Sequence, residues 1–328
     1  MSFTQNIFSF AANRMGTKTL LSYSGKLVIH PFYHTVSDEY LPHITQLYIP
    51  KTYNEFEKDI AFIQRYFQAV SIEDVHFQGK EKKAVNKNSF HLSFDDGLRE
   101  VYEVALPLLY SKGIPATIFV NKDFVDNKNL FFRHKAALII DVLNRKNIST
   151  ATEKAIRTVL ATIFPQEKNL TTQILAVKYA EQKILDDISA ILEIDYNSYL
   201  KDKRPYLTSD ELKEMQKKGF TIGAHSIDHP RFMEISEEEQ FRQIIESCSF
   251  VKAMFNEKYT YFAFPFSDEG VRITLFSDIC KQIDLSFGIS GIKTRYEGKH
   301  LDRIDMETYG KDAKQAINKA LLKHLIRK

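Results

Sequence analysis

Phe90-His91-Leu92-Ser93-Phe94-Asp95-Asp96-Gly97 is the stretch on which the fold turns. Its apolar part reads as a short buried strand. The run after it, Leu98 to Tyr110, reads as an amphipathic helix with a stop signal at Lys112-Gly113. Ala116-Thr117-Ile118-Phe119-Val120 follows, β-branched and apolar, as a strand with parallel neighbours on both sides. Strand, helix and strand in that order make a right-handed βαβ unit. Two adjacent carboxylates therefore stand where a buried strand meets a helix. Burying like charges side by side is costly, so the pair calls for a cation.

Candidate partners come much later, at His225-Ser226-Ile227-Asp228-His229-Pro230, just after the apolar run Phe220–Ala224. Together the clusters read as a two-histidine, one-aspartate metal site with a second aspartate left for proton transfer. Each has a plainer reading in isolation. Asp95-Asp96-Gly97 suits a helix N-cap, and His225 and His229 suit a helix start or a core. Pro230 and the strand before the histidines favour a loop, and the two clusters together favour a site. Imidazole and carboxylate donors suit zinc, and also cobalt, nickel or iron.

The rest of the chain supplies the frame. A hydrophobic fraction of 44% and a charged fraction of 27% over 328 residues belong to a globular protein with a real core. A net charge of +3 without long charged blocks does not suggest nucleic-acid binding. Cys248 and Cys280 are too few for a disulfide scaffold and are expected to be reduced. With no secretory pattern at the amino terminus and no long apolar run, the expectation is a cytoplasmic protein without a transmembrane helix.

An extended run is expected from Leu27 through His34, then a helix over Tyr53–Phe67 and a polar loop over Gly79–Asn88. From Asn121 to Arg204 glycine is absent, and helical patterns are expected at Phe132–Arg145, Thr152–Ile163 and Leu170–Leu192. Further helices are expected at Ser209–Lys218 and Ser236–Phe255, and strands at Thr260–Phe264, Asp284–Ile289 and Leu301–Met306. The informative clusters all follow apolar strands, where α/β barrels carry their chemistry.

Ser93-Phe94-Asp95-Asp96-Gly97 with the later His225-Ser226-x-x-His229 resembles the polysaccharide deacetylases of carbohydrate esterase family four, the NodB-homology group. Lys112–Val120, Tyr206-Leu207-Thr208, Gly219–Ala224 and Tyr33-His34 are similar to neighbouring parts of that family. The resemblance spans roughly 27–121 and 205–306. It implies a distorted or incomplete (β/α)7-type barrel, over 27–121 and 205–310, with a helical insertion at 122–204. An amino-terminal extension, 1–26, and a basic carboxy-terminal helix, 311–328, flank it.

The resemblance also implies roles. Asp95 becomes the general base, and Asp96, His225 and His229 bind a divalent ion, zinc by preference. Phe262-Ala263-Phe264-Pro265-Phe266 looks like the family's third motif, so the backbone N–H of Phe266 would stabilise the oxyanion. Many members have arginine at the position of Ala263 and tyrosine at that of Phe266. The family's late histidine, the general acid, has no counterpart inside Leu301–Met306. His300 and His34 are the two candidates, His34 also as a residue supporting the site.

The implied reaction is hydrolysis of the N-acetyl amide of an amino-sugar polymer, oligomer or glycan precursor, releasing acetate. The alternatives are a non-catalytic carbohydrate-binding or scaffold barrel, and a hydrolase of an O-acetyl ester or formamide. Phe131-Phe132-Arg133-His134, at the start of the insertion, would cover the barrel mouth. The amphipathic stretch 311–328 would dock on the barrel, or touch an anionic membrane surface peripherally. Oligomeric state is left open.

Overall fold

Parallel strands need a crossover connection, and the helices between the short apolar runs supply it by returning the chain to the same end of the sheet. The computed structural model describes residues 15–81, 87–166, 169–308 and 312–327, with side chains of 78–81 outside the description. Its strands are β1 Val28–Ile29, β2 Pro31–Tyr33, β3 Gln68–Ala69, β4 Ser89–Phe90, β5 Leu92–Phe94 and β6 Ala116–Val120. There follow β7 Thr221–Ala224, β8 Tyr261–Ala263, β9 Leu285–Gly288, β10 Thr294–Arg295, β11 His300–Asp302 and β12 Ile304–Asp305.

Among the described residues nine strands form one sheet, ordered β10-β11-β9-β8-β7-β6-β5-β2-β12. Strand β11 pairs with β9 near one end and β12 with β2 at the other, yet only Arg303 separates β11 from β12. Arg303 N–H donates to the Gly288 carbonyl, and Ile304 N–H to that of His30, at 3.0 and 2.8 Å. One run of chain thus joins both edges and curls the sheet onto itself. With β11–β12 as one stave and antiparallel β10 set aside, seven staves remain, the expected distorted (β/α)7-type barrel.

The two extended runs before the site break at buried histidines. Val28–Ile29 and Ser89–Phe90 join β3 in a small sheet, while Pro31–Tyr33 and Leu92–Phe94 enter the barrel. His30 and His91 sit at the breaks with ring centroids 5.7 Å apart. Burial, reinforced by the Arg303 charge, pushes His30 down to about 3. His91 is also held well below its ordinary value, by burial first and then by His30. Both rings are neutral at physiological pH.

Inside the barrel Phe119, Tyr261, Ala263, Leu285, Phe287 and Leu301 form an apolar plug with Ile72 and Val75. The last two belong to a helix, Ile72–Glu81, whose last residues fall in the loop expected over Gly79–Asn88. Ser71 and Asp74 bond each other's backbone N–H and begin that helix, a short capping signal with little apolar periodicity behind it. The expected loop residues 82–86 lie outside the described residues, as do 1–14 of the amino-terminal extension and the ends Lys311 and Lys328.

Between β6 and β7 helices run at Phe132–Arg145, Thr150–Leu160, Leu170–Ala176, Lys183–Ile191 and Tyr196–Lys203, and they share an apolar core of their own. The continuous helix expected over Leu170–Leu192 is instead broken, with Val177 extended at ψ 125°. The bend lets Ile174 on one piece and Leu185 and Ile188 on the other all be buried in the core shared with Phe132–Arg145. Tertiary packing overrides the local pattern there. A helix at Ile273–Gln282 also lay outside the sequence expectations. The last helix, Ala313–Arg327, buries Ala313, Ile317 and Leu321, and its Asn318 accepts from Thr17 of the helix Thr17–Ser24. Cys248 and Cys280 are free thiols. No helix among the described residues is long and apolar enough to cross a membrane.

Gly223 in β7 leaves room for the Phe119 ring: a Cβ built there would stand 2.4 Å from its Cε1. Gly223→Ala is expected to cost about 1–3 kcal/mol by overpacking, read as a lower midpoint in urea. Phe119→Leu in the same chain should recover part of the loss. An unchanged midpoint in the single variant would contradict this packing.

Candidate active site

The site is assembled where the strands end. Asp95 N–H donates to the Tyr33 carbonyl and prolongs the β2–β5 ladder by one bond, at 3.0 Å. The chain then turns through two left-handed residues, Asp96 at φ 67° and Gly97 at φ 64°. A Cβ on Gly97 would meet Val120 Cγ1 at 3.0 Å, so the turn is tight as well as left-handed. Ser226, His229 and Phe266 also have positive φ, at 75°, 66° and 58°. For a bulky residue such as Phe266 that conformation is costly and persists only when its surroundings enforce it. Asp96, His229 and Phe266 all line one cavity.

Three donor atoms converge there. Asp96 Oδ1 lies 3.0 Å from His229 Nε2 and 3.5 Å from His225 Nε2. Ligand atoms of all three residues fall within 4.8 Å of one another, and all three residues are buried. His225 donates its Nδ1–H to the Ala263 carbonyl at 2.8 Å, which turns the Nε2 lone pair toward Asp96. Burial pushes His225 down to about 4, so that ring is neutral. Asp96 Oδ1 has no hydrogen-bond donor although it is buried. For Asp96 burial opposes ionisation, but His229 beside it, with His34 and His225, holds the carboxyl well below its usual range. A carboxylate oxygen and imidazole lone pairs crowded together repel unless a cation lies among them, so this donor set fits a divalent ion.

Asp95 is held differently. Arg303, fully buried inside the barrel, donates to both its oxygens at 2.6 and 2.7 Å and to Ser93 Oγ at 3.2 Å. Burial works against the Asp95 charge, and the Arg303 guanidinium, then His225, outweigh it and lower its pKa. Asp95 Oδ2 stands 3.9 Å from His225 Nε2, beside the donor triad rather than within it.

Of the two histidines proposed as acid, only one faces this cavity of about 390 Å³, which His34 lines with Asp95, Asp96, His225, His229 and Phe266. His34 Nδ1 lies 2.5 Å from Glu307 Oε2, and Glu307 is itself fixed by the backbone N–H groups of His34 and Thr35. Burial disfavours the charged ring, but the Glu307 carboxylate prevails and His34 is pushed up to about 10. It therefore stays protonated through neutral pH and loses its proton only as the pH rises toward that value.

His300 is elsewhere. It accepts from Arg295 at Nε2 (2.8 Å) and sits 2.8 Å from Ser286 Oγ at Nδ1. Burial, then the Arg295 charge, push it down to about 3. With Asp268 and Asp302 it forms a second group whose ligand atoms lie close together. There the guanidinium of Arg295 already supplies the cation, 2.6 Å from Asp268 and 3.3 Å from Asp302. Asp228, near the histidine pair in sequence, accepts from Tyr179 and Gln243 instead.

The Phe266 N–H has no acceptor among the described residues. The ring of Phe266 packs 4.7 Å from that of His229, and Phe131 packs 4.5 Å from it on another side. Phe131, Arg133 and His134 all line the cavity, as expected for the start of the helical segment. Sequence reasoning missed Arg303 and Glu307. An arginine inside the strand expected at Leu301–Met306 was the available signal, since a buried arginine requires an acidic partner.

A family model described as polysaccharide deacetylase matches residues 82–278. Among solved structures the chain is similar to the Streptococcus pyogenes deacetylase PplD in complex with acetate, at 14% identity and a TM-score of 0.56, over 91% of this chain and 97% of that one. It is similar to IcaB from Ammonifex degensii at 14% identity and a TM-score of 0.56, over 90% and 98%. Identities this low bear on the fold alone. No curated protein sequence matches the chain significantly.

Removing Arg303 while keeping Asp95 leaves a buried carboxylate unpaired. Arg303→Met is expected to lower stability by about 3–5 kcal/mol, and adding Asp95→Asn should restore a good part of it. Equal urea midpoints for the single and double variants would show that the pair is not coupled.

Proposed function

The chain belongs to the polysaccharide deacetylase family, and from that premise we propose that it removes acetyl groups from an N-acetylated amino sugar with a divalent ion at Asp96, His225 and His229. Membership makes it a hydrolase of linear carbon–nitrogen amide bonds. The observation that carries the finer reading is the convergence of those three donors beside an Asp95 that Arg303 holds ionised. A divalent ion there, zinc by donor type with cobalt, nickel or iron also suited, supplies Lewis acidity and a nucleophile near neutral pH.

The chain's own groups do the rest. Asp95 accepts the proton of the attacking water, and its bidentate pairing with Arg303 fixes where that oxygen points. The Phe266 N–H, at a residue that lines the cavity, donates to the oxyanion that forms from the acetyl carbonyl. His34, kept charged by Glu307, gives a proton to the departing sugar nitrogen as the C–N bond breaks, leaving acetate and a free amine. Phe131 and Phe266 crowd His229 and limit water at that side. The scaffold alternative rested on the missing late histidine, and His34 in the cavity supplies an acid from the first stave instead.

Acetate release from N-acetylglucosamine oligomers, with and without chelator, tests the reading, and O-acetyl esters in parallel test the ester alternative. Asp95→Asn is expected to keep its metal and lose about 10²–10⁴-fold in activity, whereas His225→Ala loses both by metal analysis and rate. Retained activity in either variant, or in chelator, would refute the assignment.

The acid assignment has its own signature. With His34 protonated up to about 10, the alkaline limb of kcat/KM should lie high. Glu307→Gln should move it down toward the ordinary imidazole range near ~6.5. His300→Gln should leave that limb in place, and a limb indifferent to Glu307→Gln would exclude His34 as the acid.

A further inference from the structure

Two guanidinium groups at the cavity mouth have no carboxylate within ion-pair distance among the described residues. Arg133 lies in the first turn of the helix Phe132–Arg145, and Arg231 follows His229 by two residues. Both line the cavity that holds Asp95, Asp96, His34 and the histidine pair. Arg231 rests over the Phe266 ring, its Cζ 4.1 Å from the centroid, and Phe266 packs on His229. Arg133 donates one Nη–H to the Leu175 carbonyl, while its Nε is buried without an acceptor. No carboxylate among the described residues lies within 4.0 Å of either group.

The pair is also electrostatically uncomfortable. Burial, and after it the Arg231 charge, lower the Arg133 pKa, and Glu234 only partly opposes this from beyond ion-pair distance. The other carboxylates lining the cavity are engaged. Asp95 is held by Arg303 and Asp96 faces the histidines. Asp305 accepts from Glu307 N–H and the Thr308 hydroxyl. A neutral sugar chain would leave two half-buried like charges unpaired each time it bound. An oxyanion would satisfy both, because the planar guanidinium fork matches phosphate and carboxylate geometry.

We propose that the substrate of this deacetylase is anionic, bearing a phosphate or uronate carboxylate beside the N-acetylated sugar, and that Arg133 and Arg231 clamp that group at the cavity mouth. The inference rests on the deacetylase reading above and deepens it by naming the substrate class. The same two arginines then set how the acetamide enters the donor triad.

The test compares three probes: a neutral N-acetylglucosamine oligomer, the same oligomer with a reducing-end phosphate, and an oligomer alternating N-acetylglucosamine with glucuronate. At least one anionic probe is expected to exceed the neutral one about tenfold in kcat/KM, the scale of one charge-assisted hydrogen bond. The advantage should reside in KM, fade at high salt, collapse in Arg133→Gln and Arg231→Gln, and survive partly in the lysine variants. Whichever anionic probe gains identifies the group. Equal turnover of all three probes, or an equal loss on all three in the glutamine variants, would overturn the clamp. Calorimetric binding of the probes to the Asp95→Asn protein separates the two levels. If no probe releases acetate but the anionic ones bind tighter through the arginines, the reaction fails and the clamp stands. Equal binding of all three removes the clamp whatever the chemistry.

Discussion

Arg303 and Asp95 are held together inside a barrel by two hydrogen bonds, and most of the structure is arranged to make that tolerable. Each charge would be costly alone in the apolar interior, and their attraction offsets desolvation only if geometry is good and remaining donors are met. Both conditions are satisfied. Ser93 Oγ and the Gly288 carbonyl receive further Arg303 N–H groups, and the guanidinium carbon lies 4.3 Å from the centre of the Phe32 ring. The neighbouring His30 and His91 stay neutral, so neither adds a charge that Asp95 would have to balance. The carboxylate proposed as base is thereby fixed by the same contact that fills the barrel.

Arg303 is also the seam of the sheet. Its backbone is the single step between the stave edge paired to β9 and the one paired to β2. Residues 300–307 serve three regions at once. Outward, His300 and Asp302 bind Arg295 and through it Asp268, two residues beyond Phe266. Inward, Arg303 holds Asp95. Just past the strand, Glu307 binds His34, and Asp305 accepts the Glu307 N–H. The groups proposed as base, oxyanion donor and acid are therefore tied to one short piece of backbone, so their spacing depends on barrel closure.

Sequence was most legible where chemistry is local. Asp95-Asp96-Gly97 and His225-Ser226-x-x-His229 each follow a short strand, and the two clusters together point to a cation. The strands at Ala116–Val120 and Thr221–Ala224, and the helices with clear caps at Tyr53, Ser209 and Glu237, begin within a residue or so of their expected places. The break at Val177 was not legible, because it answers to burial of Ile174, Leu185 and Ile188 against another helix. His34 and His300 could not be ranked from sequence either, since Glu307 and Arg295 decide their protonation from across the fold.

The departure at Ala263 shows how such partners are chosen. Many relatives carry arginine there, whereas here the Ala263 side chain joins the apolar plug and its carbonyl orients His225. A second cation rising from that strand would have to share the lumen with Arg303, whose ring contacts already include Phe32 and Phe119. Two guanidinium groups cannot both be neutralised by the single Asp95. Given an arginine at 303, the charge balance of the lumen favours an uncharged residue at 263, and Ala263 meets that condition.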